Sequence, residues 1–186
     1  MRAFVAVIPP AEVVAHLDDF LDVRREAAAF RWSTPEQWHV TLAFAASVPE
    51  RSLDELDDLL AQAASRREAF GIRVAGGGAF PHPDAARVLW AGLEPDDDAV
   101  LDQLAAAARA AVSRAGARVD GQRFHPHLTL ARLGRPANLT SWVRLLDAYG
   151  DGPRWQVTEI ALVASHLGEG PRRRPRHEVL GTYALG

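Results

Sequence analysis

Two short segments of this chain bring together residue types that can move protons: His39-Val40-Thr41-Leu42 and His127-Leu128-Thr129-Leu130. In an extended strand successive side chains alternate between faces. His39 and Thr41 therefore point one way and Val40 and Leu42 the other, and the second segment behaves alike. Each segment offers one imidazole and one hydroxyl on a polar face, anchored by two aliphatic side chains. An unperturbed imidazole titrates near 6.5, so close to neutral pH one ring can be neutral and the other protonated. The neutral ring can take a proton from water and the protonated ring can deliver one to a departing oxygen. Such transfers are worth on the order of 10²–10⁴ in rate. The threonine hydroxyls can donate to non-bridging phosphate oxygens without any metal. This equipment suits hydrolysis of a strained phosphodiester. A single His-x-Thr-Leu is ordinarily just a half-buried strand, and its weight here comes from occurring twice.

The elements that would have to position these residues alternate along the chain. Residues 3–8 read as a buried strand, and 11–28 as a helix with Val13, Val14, Leu17, Phe20 and Leu21 at helical spacing. Residues 38–45 read as a strand, followed by a helix from Pro49 with Leu53, Leu56, Leu59, Leu60 and Ala63 on one face. Strands are expected at 70–75 and 87–93, separated by a turn region spanning Gly76-Gly77-Gly78 and Pro81-His82-Pro83-Asp84. A helix over 96–115, a strand at 127–132, a helix over 139–148 starting at Asn138, and strands near 155–164 and 177–184 complete the chain. The class is α/β or α+β. A loose repeat is visible: strand, helix, His-x-Thr strand, helix occurs once in each half. The two histidines stand 88 positions apart, and the hexapeptides beginning at His39 and His127 agree at four positions. A duplicated lobe is the economical explanation. If the lobes are related by a pseudo-two-fold, their polar faces meet across a cleft.

With 186 residues the chain is of single-domain size, and a formal net charge of −3 excludes nucleic-acid binding through bulk basicity, so any RNA contact is local. There are no cysteines, which removes disulfides, thiolate nucleophiles and cysteine-based metal sites. The apolar N-terminal run stops at Pro9-Pro10, too short for a signal sequence, and no stretch approaches the ~18–20 apolar residues of a membrane span. A cytoplasmic protein with no membrane association is the default expectation.

Several segments together give this chain a specific likeness. Arg2-Ala3-Phe4-Val5-Ala6, Arg31-Trp32 with Pro35-Glu36 and His39 to Phe44, Phe80-Pro81 with Arg87 to Leu93, Phe124 to Arg132, and Ser165-His166-Leu167 with Glu178-Val179-Leu180 run almost end to end. In these the chain resembles the two-histidine phosphoesterases, and within them the RNA 2',3'-cyclic phosphodiesterases, also called 2'-5' RNA ligases. The resemblance implies one bilobal α+β domain over 1–186, with an antiparallel sheet and flanking helices in each lobe and a cleft between the sheets. It implies a cofactor-free opening of a 2',3'-cyclic phosphate at an RNA end to a 2'-phosphate by a monomer. It makes His39 the general acid on the 3'-oxygen and His127 the general base on water, an assignment that could be exchanged. Thr41 and Thr129 would hold the phosphate, and Arg132 would add charge to it. Two departures stand out: Ala45-Ala46 replace a usual Leu-Gly, and His177 stands near a position where an aromatic residue is common.

Other residues carry weaker signals. His125 and His127 are spaced to share a strand face and ligate a metal, but Pro126 lies between them and no third ligand is near, so no metal is expected. His82 and His16 read as surface or partly buried residues. Arg172-Arg173-Arg174-Pro175-Arg176 is the one strong basic cluster, either a solvated loop or a contact to the RNA backbone. Trp32, Trp38, Phe80 and Trp90 include candidates for stacking a terminal base. Two other functions compete with hydrolysis: 2'-5' ligation, the reverse reaction on the same residues, and non-catalytic binding of RNA ends or nucleotides. Against the latter, phosphate binding alone is better served by arginine than by two histidines. A metal-dependent hydrolase is the weakest alternative.

Overall fold

The computed structural model describes all residues, 1–186. The elements follow in the order β1 (Ala3–Val7), α1 (Ala11–Arg25), β2 (Arg31–Trp32), β3 (Val40–Ala45), α2 (Leu53–Ser65), β4 (Phe70–His82), β5 (Ala85–Pro95), α3 (Val100–Arg114), β6 (Leu128–Ala137), α4 (Thr140–Asp147), β7 (Trp155–Val157), β8 (Glu159–His166) and β9 (Arg176–Ala184). Every strand pair is antiparallel, so the fold is α+β. No helix is long and apolar enough to cross a membrane.

Paired strands run in the order β7-β4-β5-β6-β3-β1-β8-β9, with β2 added beside β6. The order divides at its middle into β6-β5-β4-β7 and β3-β1-β8-β9. The two halves touch through one residue pair, Val40 opposite Leu128. The two lobes are therefore halves of one curled sheet, joined where the two His-x-Thr segments begin.

The halves match in register. On β1 and β3, Val7, Ala6 and Val5 face Val40, Thr41 and Ala43; on β5 and β6, Ala91, Trp90 and Leu89 face Leu128, Thr129 and Ala131. In each lobe one residue is passed over, Leu42 or Leu130, which is a β-bulge at the equivalent position. Both leucines are fully buried and anchor the bulges in the core.

The main core lies on the helix-covered side of the sheet and includes Val5, Val7, Val40, Leu42, Leu128 and Leu130 with Leu17, Leu56, Leu60, Leu104 and Ala108 from the helices. A small second cluster, Phe4, Ala6, Ala161 and Val163 with Phe44 against it, lies on the opposite side. Strand β1 is buried on both faces, which is why residues 3–8 read as an unbroken apolar run and not as an alternating one.

Several element boundaries differ from the sequence reading; β6, for one, runs on to Ala137, and α1 ends at Arg25. The turn region expected between 76 and 84 is mostly strand, since β4 continues to His82 and only residues 83 and 84 separate it from β5. Gly76 takes a left-handed φ of 70° where the β4–β5 register shifts, and the two glycines after it answer to packing. A Cβ on Gly77 would stand 2.5 Å from Leu146 Cβ, and one on Gly78 would stand 2.2 Å from the Trp90 ring. The expected strand 155–164 is split at Thr158: β7 joins β4 in one lobe, and β8 joins β1 in the other. Hydropathy cannot register that change of partner, because both pieces are buried strand. The 96–115 helix begins only at Val100, after a turn in which Asp97 Oδ1 accepts the Ala99 N–H. At α4, the Asn138 side chain accepts the Thr140 N–H at 3.0 Å, as its position before the helix suggests.

Candidate active site

The Val40–Leu128 pair decides the geometry of the site. Both side chains are fully buried on the helix side. In an antiparallel ladder the neighbours of a directly opposed pair are themselves opposed, on the other face. One residue along from Val40–Leu128, His39 is set against Thr129 and Thr41 against His127. All four point away from the core and all are half-buried. Each lobe's imidazole is thus placed in register with the other lobe's hydroxyl, across a junction only one residue pair wide.

The bulges bring in two more residues. Beyond Leu42 and Leu130 the alternation changes phase, so two consecutive residues are buried in each strand, Leu42-Ala43 and Leu130-Ala131. Phe44 and Arg132 then fall on the face of Thr41 and Thr129, at a spacing of three. Without the bulge Arg132 would point into the helices. Its charge is felt at both His39 and His127.

Both histidines are held the same way. The Nδ1–H of His39 donates to the Gln37 carbonyl at 2.7 Å, and that of His127 to the His125 carbonyl at 2.6 Å. A carbonyl only accepts, so the neutral ring carries its hydrogen on Nδ1 and leaves the Nε2 lone pair free. Phe4 stacks on His39 with ring centroids 4.4 Å apart and 22° between planes, and Phe80 meets His127 edge-on at 5.0 Å and 88°. Burial pushes the His39 pKa down to about 4, with the charges of His177, His127 and Arg132 adding and the bond to Gln37 opposing. His127 is also lowered, chiefly by burial and then by His125 and Arg132, again against its backbone bond. Both rings are therefore neutral at pH 7.

The model of the 2'-5' RNA ligase superfamily matches residues 9–169 of this chain. The chain belongs to that superfamily. It is 34% identical over 191 residues to an RNA 2',3'-cyclic phosphodiesterase of Thermus thermophilus, covering 100% of this chain and 90% of the relative. It is 35% identical over 147 residues to one of Aeropyrum pernix, covering 77% and 82%. Among solved structures, E. coli LigT complexed with 3'-AMP superposes with a TM-score of 0.76 at 27% identity, covering 99% of this chain and 97% of that one.

Around this shared framework the superfamily member described here has features that its sequence left unread. His177, on β9, stands 5.5 Å from the His39 ring and 5.1 Å from Phe4, edge-on to both. Burial lowers its pKa too. Of the four aromatic residues considered for stacking, only Phe80 and Trp90 reach the cleft, where they pack 5.2 Å apart against His125 and His127. Trp38 is buried in the main core, and Trp32 packs with Phe30 and Trp142. Phe4 was hidden in the apolar run of β1. Alternation from Val5 and Val7 in the core could have put it on the cleft face.

The basic cluster forms the tip of the β8–β9 hairpin. Arg172 and Arg173 are exposed and adopt left-handed φ values of 56° and 61°. Arg176 is held by Glu169 at 2.9 Å and faces Glu178 at 3.9 Å, whereas the other three arginines have no carboxylate partner. The hairpin reaches the site through Gln37, whose Nε2 donates to the Pro175 carbonyl at 2.7 Å while its own carbonyl holds His39. A cavity of about 1140 Å³ lies beside α3 between Leu101, Arg109 and Phe124, and neither His-x-Thr segment lines it.

Proposed function

We propose that this chain hydrolyses the 2',3'-cyclic phosphate at an RNA end to a 2'-phosphate, using its own side chains and no metal or cofactor. The observation that carries the reading is the convergence of His39, Thr41, His127 and Thr129 on one face through the Val40–Leu128 pair. The names of the Thermus and Aeropyrum relatives supply the substrate class.

In this mechanism Thr41 and Thr129 donate to the non-bridging oxygens and Arg132 neutralises the phosphate charge. His127 Nε2 takes a proton from water as its oxygen attacks phosphorus. The P–O3' bond breaks, and His39 Nε2–H gives its proton to the 3'-oxygen. The 2'-ester remains, and before the next turnover His127 releases its proton to solvent while His39 takes one up. Since the His39 pKa lies near 4, the anionic substrate itself must raise its proton affinity. With a 5'-hydroxyl end in place of water, His127 would take the hydroxyl proton, the 5'-oxygen would attack phosphorus, and the P–O3' bond would break with His39 protonating the 3'-oxygen, which leaves a 2'-5' linkage. Arg172, Arg173, Arg174 and Arg176 would contact the RNA backbone beside the site. The reading treats residues 1–186 as a single bilobal domain working as a monomer in the cytoplasm.

The test is incubation with a short RNA ending in a 2',3'-cyclic phosphate, with excess chelator, and identification of the product. A 2'-phosphate that disappears in His39→Ala and in His127→Ala is the expected result. Turnover surviving both substitutions, or a 3'-phosphate product, would refute the proposal.

A further inference from the structure

We infer that Arg31, set against Arg132, forms a second anion subsite that takes the phosphodiester immediately 5' of the cyclised nucleotide, so that the site prefers polynucleotide ends to free cyclic mononucleotides. This rests on the preceding reading that the cyclic phosphate reacts between His39 and His127.

The observation is a like-charge pair. Strand β2 is two residues long, and its register on β6 places Arg31 directly opposite Arg132 and Trp32 opposite Ala131. Ala131 is fully buried and Trp32 packs on the main core, so that pair faces the helices. Arg31 and Arg132 therefore share the cleft face. Directly opposed residues have Cα atoms about 4.5–5.5 Å apart, and like charges at such positions destabilise an antiparallel pair. No counter-charge is present. Every ion pair of the chain involves other residues, and neither guanidinium donates a side-chain hydrogen bond. Two unpaired cations on adjacent strands do nothing for folding; they are matched by an anion.

Position separates the two arginines. Arg132 acts electrostatically on both reacting histidines, so its charge belongs to the phosphate held there. Arg31 acts on neither histidine, so its charge is free for the next phosphate along a chain. One phosphate is satisfied by one bidentate fork, which leaves the second guanidinium for a second phosphate. The turn Pro35–Gln37, which follows β2, touches Pro175 of the basic hairpin. Arg172, Arg173 and Arg174 thus extend the run of cations outward from Arg31. A 2',3'-cyclic mononucleotide carries one phosphate and has nothing to offer these residues.

The experiment compares adenosine 2',3'-cyclic phosphate with the dinucleotide ApA ending in a 2',3'-cyclic phosphate, for the wild-type chain, Arg31→Gln and Arg31→Lys. The ratio of kcat/KM, dinucleotide over mononucleotide, is expected to fall about ten- to a hundredfold in Arg31→Gln, mainly through KM. Arg31→Lys should recover part of it. The slope of log KM for the dinucleotide against log salt should lose about 0.7 in Arg31→Gln. The Tm of Arg31→Gln without ligand should equal or exceed that of the wild type, because a repulsion is removed. An unchanged ratio overturns the inference, whether activity is kept on both substrates or lost equally on both; the latter places Arg31 on the reacting phosphate. If the wild type turns over neither substrate, the hydrolytic reading has failed by itself. Binding of ApA 2'-phosphate against 2'-AMP then decides the subsite: tighter dinucleotide binding that requires Arg31 supports it, and equal binding overturns it.

Discussion

An occupied cleft should change the protonation of His39 more than any other property of the chain. Its pKa of about 4 leaves roughly one ring in a thousand charged at pH 7. Three pH units correspond to about 4 kcal/mol against a proton donor. One unit of negative charge placed about 4 Å from the imidazolium, at an effective dielectric of ~20, returns about 4 kcal/mol. The two quantities nearly cancel, so a bound anion should lift the His39 pKa to near 7, where a general acid is most useful. Dimethyl phosphate is the cleanest perturbant, because it carries one negative charge and does not titrate in this range. Imidazole resonances followed by NMR between pH 3.5 and 8.5, with and without saturating dimethyl phosphate, would give the shift directly. By linkage, its affinity should rise up to tenfold for each unit that pH falls between about 7 and 4, and this dependence should flatten in His39→Gln. If the His39 pKa stays near 4 in the complex, or if dimethyl phosphate affinity ignores pH, the reasoning that substrate charge arms the acid is wrong.

Thr41→Val and Thr129→Val keep the β-branched shape that suits each strand and remove one donor apiece. Each should lower kcat by on the order of 10² with little change in Tm, measured by steady-state kinetics and thermal denaturation. A second outcome concerns stability alone. The His39 pKa is lower in the folded chain than the 6.5 of the unfolded one, so the unfolded state binds more protons between these values. Stability is therefore fully present above about 6.5 and falls as pH drops towards 4, by about 3 kcal/mol from His39, with His127 and His177 shifting in the same direction. Urea unfolding at pH 7 and pH 4 should show that loss, reduced in His39→Gln; a loss that His39→Gln leaves unaltered would contradict it.

Much of the site was legible because strand alternation is a local property. His39 with Thr41, and His127 with Thr129, share a face by backbone geometry, and the aliphatic residues between them announce which side is core. The helices were legible for the same reason, since Leu56 and Leu60, or Leu104 and Ala108, recur at helical spacing and are buried. The glycine-rich part of β4 was misread because a glycine shows where a side chain is absent but not what fills the space. Leu146 and the Trp90 ring, distant in sequence, fill it.

What the sequence by itself determined is the pair of His-x-Thr segments, the repeat that contains them and the alternation of helices and strands, all written in residue type and short-range period. Tertiary structure decided how these parts meet. The Val40–Leu128 pair sets each histidine against the opposite threonine. The bulges at Leu42 and Leu130 change the phase that brings Arg132 to the same face, and nothing in residue type predicts them. His177 reaches His39 from β9, and Arg31 meets Arg132 through a strand of two residues. Each of these depends on which strands pair and in what register, and register is set by the packing of the whole sheet against its helices.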